Sequence, residues 1–154
     1  MGLTRIDSFR KKIISLKHLG IDSMCFIYQF AQDLTYSPLT NTLFTLLESG
    51  KAESVTSTVS VAEIFVRSER LGDKITMYTQ ERFLTSLPNL EIVPITWDIA
   101  RLASKLRARY AFLKTPDALQ IAASLLSGCN GFITNDEKLK QVKEIKVISF
   151  DDYI

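Results

Sequence analysis

Short apolar runs alternate with longer helix-periodic segments along this chain, and that alternation limits its fold more than any other feature. Leu19-Gly20-Ile21, Ser54 to Val59, Leu90 to Ile95, Phe132-Ile133-Thr134 and Ile145 to Phe150 are brief and rich in branched or aromatic residues. Such runs read as strands. The longer segments between them carry apolar residues at helical spacing. A strand, a helix and a second strand form a crossover unit, and crossovers make neighbouring strands parallel. The expected order is α-β-αα-β-αα-β-αα-β-α-β, an α/β fold with five strands in a mainly parallel sheet. Pro94 lacks an N–H for a ladder, which assigns the third strand to an edge.

Capping signals set the helix boundaries. Residues 1–17 read as a short amphipathic helix with Ile6, Phe9, Ile13 and Leu16 on one side, an N-terminal extension to a domain spanning 18–154. The plain reading of that extension is a helix packed on the sheet; the other is a dimer or partner contact. The segment 24–31 looks helical. Ser37 and Thr115 each precede a proline and are expected to cap the helices that follow. Helices are also expected over Ser60 to Leu71, Asp73 to Leu87, Thr96 to Tyr110 and, briefly, Asp136 to Val142. Gly50, Gly72 and Gly128 mark helix ends.

Four acids stand where an apolar strand hands over to a helix, or at a helix start beside such a point: Asp22, Glu63, Asp117 and Asp136. Singly, each has an ordinary explanation. Asp22 suits a helix N-cap. Ser60 and Glu63 have the spacing of a capping box, with Glu63 in the first turn. Asp117 is favoured by the helix dipole, and Asp136 closes a Thr-Asn-Asp turn. Four separate caps, however, have no reason to fall at one end of one sheet. Clustered carboxylates repel, and some must stay protonated unless a cation neutralises them. Acidic oxygens are the ligands Mg²⁺ and Mn²⁺ prefer. The arrangement therefore points to metal-assisted phosphodiester chemistry.

Composition narrows the partners little. The chain has 154 residues, enough for one domain with a real core, and a formal charge of +2 that neither demands nor forbids nucleic acid. Cys25 and Cys129 lack metal-type spacing, and Cys25 sits in an apolar run. With no secretory signal, two cysteines fit a reducing cytoplasm better than a disulfide framework. The apolar part of the N-terminal stretch is too short to span a bilayer. A single histidine, His18, argues against zinc.

Asp22 after the first strand, Ser60-x-x-Glu63 after the second, Asp117-Ala118-x-x-x-Ala122 at a helix start and Thr134-x-Asp136 after the fourth together resemble the PIN-domain nuclease family. The likeness spans about residues 19–150 and is most like the VapC-type toxins of toxin–antitoxin pairs. It implies a single-domain fold with strand order 3-2-1-4-5, which makes strands one, two and four neighbours. It further implies a ribonuclease holding one or two Mg²⁺ or Mn²⁺ ions, an RNA substrate, an antitoxin partner and a homodimer. Asp22 and Asp136 would be direct ligands. Glu63 would bind metal or take a proton from water, and Asp117 would bind directly or through water. Thr134 and Ser23 would serve as hydroxyl donors to a carboxylate or a phosphate. Met24 stands where the family often has an asparagine.

Positive charge for a substrate backbone lies in residues 99–116, which hold Arg101, Lys105, Arg107, Arg109 and Lys114 and no acid. Tyr110 and Phe112 add rings able to stack on bases. The competing reading is a solvated helix face. Other functions compatible with the pattern are a catalytically silent RNA- or protein-binding module and a DNA-directed nuclease. A receiver-type phosphoacceptor would want a lysine after the last strand, where Phe150-Asp151-Asp152 offers none.

Overall fold

A computed structural model describes residues 2–154. In chain order the elements are α1 (Arg5–Leu16), β1 (His18–Ile21), α2 (Ser23–Ala31), α3 (Ser37–Glu48), β2 (Glu53–Ser57), α4 (Thr58–Leu71), α5 (Lys74–Ser86), β3 (Leu90–Val93), α6 (Trp97–Arg109), α7 (Thr115–Leu126), β4 (Gly131–Thr134) and β5 (Lys146–Ser149). Two 3₁₀ turns, Glu137–Gln141 and Phe150–Tyr153, flank β5.

The strands form one sheet in the order β3-β2-β1-β4-β5, and every pairing is parallel. The chain winds outward from β1 to β3, then returns to lay β4 on the other side of β1. Strand order therefore reverses between β1 and β4, and the crevice beyond their carboxyl ends is where such sheets bind ligands. β3 is the edge strand on one side.

Alternation along the central strands divides the core in two. Leu19, Ile21 and Ile133 join Phe9 and Ile13 of α1, Phe26 of α2 and the leucines of α3 on one face. Phe132 joins Ile99, Leu106 and the alanines of α7 on the other. Phe9 and Ile13 are fully buried, so α1 contributes to the core on the first face. Cys25 is a buried free thiol within that same cluster.

α7 lies unusually close to the sheet. Ala118 and Ala122 are fully buried on its inner face, and Gly20 of β1 sits beneath it. A Cβ on Gly20 would come within 1.9 Å of Ser124 Oγ and 2.8 Å of Phe132 Cδ2. Only a residue without a side chain permits this approach.

Several boundaries differ from the sequence expectation. Lys114 and Tyr36, not Thr115 and Ser37, occupy the cap positions of α7 and α3. The carbonyls of Lys114 and Tyr36 accept the first helical N–H bonds, from Ala118 and Thr40, which starts each helix one residue sooner. β2 stops at Ser57 and α4 begins at Thr58, whereas the β-branched pair Thr58-Val59 reads locally as strand. Here the Ser57 hydroxyl, accepting the Val59 N–H at 3.2 Å, overrides that preference. β3 and β5 are shorter than expected, and the turn Phe150–Tyr153 has no counterpart in the reading from sequence.

Candidate active site

Parallel register delivers the first acid. Ile21 pairs with Ile133, and the Asp22 N–H continues the ladder to the Ile133 carbonyl at 3.0 Å. Asp22 therefore emerges beside Thr134. It occupies the cap position of α2, yet its side chain makes no capping bond. Its carboxylate instead accepts the Thr134 hydroxyl at 2.7 Å and the Ser23 hydroxyl at 3.3 Å. The residue is only 6% exposed. Burial raises its pKa, the two hydroxyls pull it back, and the charge of Asp136 raises it again.

Asp136 follows β4 after Asn135 and is exposed. Its backbone N–H donates to Thr134 Oγ1 at 3.1 Å, and its carboxylate caps the next turn by accepting the Lys138 N–H at 3.0 Å. Thr134 thus bridges the two acids, giving its proton to one and accepting from the backbone of the other.

Asp117 lies in the first turn of α7. Its pKa is pushed up from 3.8 to about 6, first by burial, then by the charges of Asp22, Asp136 and Glu63, with Lys114 opposing. The charges of all three other acids act on this one carboxyl. Glu63 is solvent-exposed as a residue. Enough protein surrounds its carboxyl that desolvation, and then the Asp22 charge, raise its pKa. It is not in the first turn of α4, which starts five residues earlier at Thr58. The capping box expected from Ser60 and Glu63 does not form, because Ser57 is the cap and the Ser60 hydroxyl turns inward.

No ion pair reaches Asp22, Glu63, Asp117 or Asp136 among the described residues. Nor do three or more His, Cys, Asp or Glu side chains there close into a metal-binding group. The donor set still fits a hard divalent cation. All four side chains are carboxylates without an ion-pair partner among the described residues, and Mg²⁺ needs only one or two protein carboxylates while keeping water in its shell.

The basic segment divides. Lys114 is near enough to lower the Asp117 pKa. Arg107 uses its Nε–H to hold the Leu113 carbonyl at 3.1 Å, bracing the link from α6 to α7. Arg109 pairs with Glu144 at 3.2 Å, and Tyr110 donates to the same carboxylate at 2.6 Å. Arg101 and Lys105 are exposed.

One group near the site escaped the reading from sequence. Gln120, 2% exposed, lies on the inner face of α7 among the alanines. Its Oε1 accepts the Ser57 N–H at 3.3 Å and the Ser57 hydroxyl at 2.7 Å. Its Nε2 donates to Ser60 Oγ. Ser60 Oγ lies 2.6 Å from Thr56 Oγ1, and Thr56 donates to the Ile21 carbonyl at 2.8 Å. The available signal was an amide on an otherwise apolar helix face, one turn after Asp117.

The family model described as PIN domain matches residues 21–145. No curated protein matches the chain significantly. Three solved structures are similar in fold. VapBC2 from Rickettsia felis, bound to a promoter DNA fragment, is 16% identical with a TM-score of 0.62, covering 86% of this chain and 98% of that one. A toxin–antitoxin complex from Klebsiella pneumoniae is 22% identical with a TM-score of 0.61, covering 86% and 96%. FitAcB from Neisseria gonorrhoeae is 17% identical with a TM-score of 0.66, also covering 86% and 96%.

Proposed function

The chain belongs to the PIN domain family, whose members are generally nucleases that use divalent metals, and from that premise we propose that it is an endoribonuclease dependent on Mg²⁺ or Mn²⁺, the toxin of a type II toxin–antitoxin pair. The observation that carries this reading is the meeting of Asp22 and Asp136 at Thr134, where strand order reverses between β1 and β4, with no ion pair to either acid among the described residues. Such a site is at odds with itself until a cation enters.

Asp22 and Asp136 would hold the ion directly, Asp117 directly or through water, and Glu63 would either join them or act on the water. When bound, the ion supplies charge stabilisation for the phosphodiester and an acidified water. The residues of the chain do the rest. Thr134 and Ser23 keep Asp22 aimed by donating to it. Glu63, on the solvent side, is suited to take a proton from the attacking water. Lys114, at the start of α7, offers positive charge to a neighbouring phosphate, with Arg107 and Arg109 further along the same segment. Tyr110 and Phe112 lie 6.0 Å apart between ring centroids, partly packed on the second core, and their remaining surface would stack on bases.

The antitoxin half of the reading draws on the structural neighbours, among them the toxin–antitoxin complex from Klebsiella pneumoniae and VapBC2 bound to promoter DNA. A groove of about 410 Å³ opens beside Glu63, lined by Ile27, Phe30, Ile64 and Leu71 with Arg67 at its side. An amphipathic segment seated there would cover the approach to the acids.

The test is cleavage of labelled RNA and single-stranded DNA with Mn²⁺, with EDTA, and with Asp22→Asn. The proposal expects RNA cutting that needs the metal and disappears in the variant. Cutting of DNA alone would reassign the substrate. A protein that binds RNA without cutting it would be a silent module.

A further inference from the structure

We propose that Gln120 is a positioning residue, whose single side-chain amide holds α7 and α4, which carry Asp117 and Glu63, in register with the end of β1, which leads into Asp22; this rests on the nuclease reading above. The Ser57 backbone N–H can only donate, so the amide atom facing it is the oxygen. That leaves Nε2 to donate to Ser60. The Thr56 hydroxyl is committed to the Ile21 carbonyl, so Ser60 is the donor to Thr56. The chain of bonds therefore runs one way, from Gln120 through Ser60 and Thr56 to Ile21.

Each end of that path borders an acid. Gln120 is one turn from Asp117 on α7. Ser60 is three residues before Glu63 on α4. Ile21 is the residue immediately before Asp22. Gln120, Ser60 and Thr56 are all at most 2% exposed, so water does not substitute for any bond in the path. A methionine would fill the same space without directional demands. The amide fixes one relative position of the elements, because each buried polar group is satisfied only there.

The neutrality of the link matters. Carboxylates that raise one another's pKa also push apart. A lysine or arginine tying them together would cancel the charge a divalent ion needs. An amide and three hydroxyls hold the backbone while leaving the charge in place.

The experiment uses the full chain as wild type, Gln120→Met, Ser60→Ala, the double variant and Thr40→Val. Thr40 is a control: it is fully buried on α3, donates to Gln29 Oε1 and the Ser37 carbonyl, and touches no acid of the site. Mn²⁺ affinity is measured by calorimetry without RNA, kcat and KM with a labelled RNA, and melting temperature for each. Gln120→Met is expected to weaken Mn²⁺ binding and lower kcat by about 10–100-fold, with KM within about 2-fold of wild type. Ser60→Ala shifts both in the same direction by less, and the double variant is no worse than Gln120→Met, as one shared path requires. Thr40→Val lowers the melting temperature alone. Wild-type Mn²⁺ affinity and kcat in folded Gln120→Met would overturn the assignment, as would equal losses in Thr40→Val. If Gln120→Met does not fold, an unchanged Ser60→Ala overturns it. A wild-type protein that neither binds Mn²⁺ nor cuts RNA removes the nuclease reading and this role together. An active wild type beside an unaffected Gln120→Met removes only this one.

Discussion

The Thr134 hydroxyl donates to the buried Asp22 carboxylate across 2.7 Å, joining the carboxyl ends of β4 and β1 at the point where strand order reverses. The same oxygen accepts the Asp136 N–H. One threonine thus aims one acid and anchors the backbone of another.

Thr134→Val keeps the shape and removes both bonds. The expected cost is about 1–3 kcal/mol, and Mn²⁺ affinity should fall about 10-fold. The loss should be smaller at a pH low enough to protonate Asp22 than at neutral pH, because the hydroxyl favours the charged form of Asp22. Denaturant melts at low and neutral pH and calorimetry decide this. An equal loss at both would mean the hydroxyl is not serving the carboxylate.

Asp117 makes the metal-free protein less stable as pH rises. Its native carboxyl titrates at about 6 and its ordinary value is 3.8, so between them the folded state binds more protons than the unfolded state. Stability from this group is therefore present at low pH and lost as pH climbs from about 4 through about 6. After discounting for partial exposure the loss is about 1–2 kcal/mol. Asp22 and Glu63, also raised, act in the same direction. Melts in EDTA should show lower stability at pH 8 than at pH 5, with Mn²⁺ reversing the difference. Asp117→Asn should gain stability at pH 8 and lose most of the response to Mn²⁺. A metal-free protein whose stability is flat or rising over this range would contradict the shared-charge account.

Gly20→Ala places a methyl group against Ser124 Oγ at 1.9 Å and Ser124 Cβ at 2.6 Å. We expect a loss of about 1–3 kcal/mol or more, with α7 and Asp117 displaced from the sheet. Ser124→Gly in the same chain clears both contacts and should recover much of the loss. Failure of that rescue, in paired urea titrations, would show that the strain lies elsewhere, as against Phe132.

Lys114→Ala, measured in an Asp22→Asn background to prevent cutting, should weaken RNA binding. It should also reduce the slope of log K against log salt by about 0.7, the value for one lost contact to a single strand. Arg107→Ala with Arg109→Ala should act in the same sense if the strand runs along this segment. Arg109 is 67% exposed, so its ion pair with Glu144 is a weak tether, worth about 0–1 kcal/mol. An unaltered slope in the double variant would remove both arginines from the RNA path.

The alternation of strand-like and helix-like runs determined the fold class, because periodicity of two or 3.6 is written locally in the chain. The placement of Asp22 and Asp136 just past apolar strands was legible for the same reason. What the chain could not state locally was which donor meets which acceptor. Ser57, and not Ser60, caps α4, and Ser60 turns inward to meet Gln120, sixty residues away. Asp22 sits in a cap position and does not cap, because Thr134, 112 residues distant, reaches it first. Hydrogen bonds of that span exist only once the sheet order has brought β1, β2 and β4 side by side. Patterns of hydrophobicity survive in one dimension, whereas the pairing of buried polar groups is decided by the three-dimensional register that satisfies all of them at once.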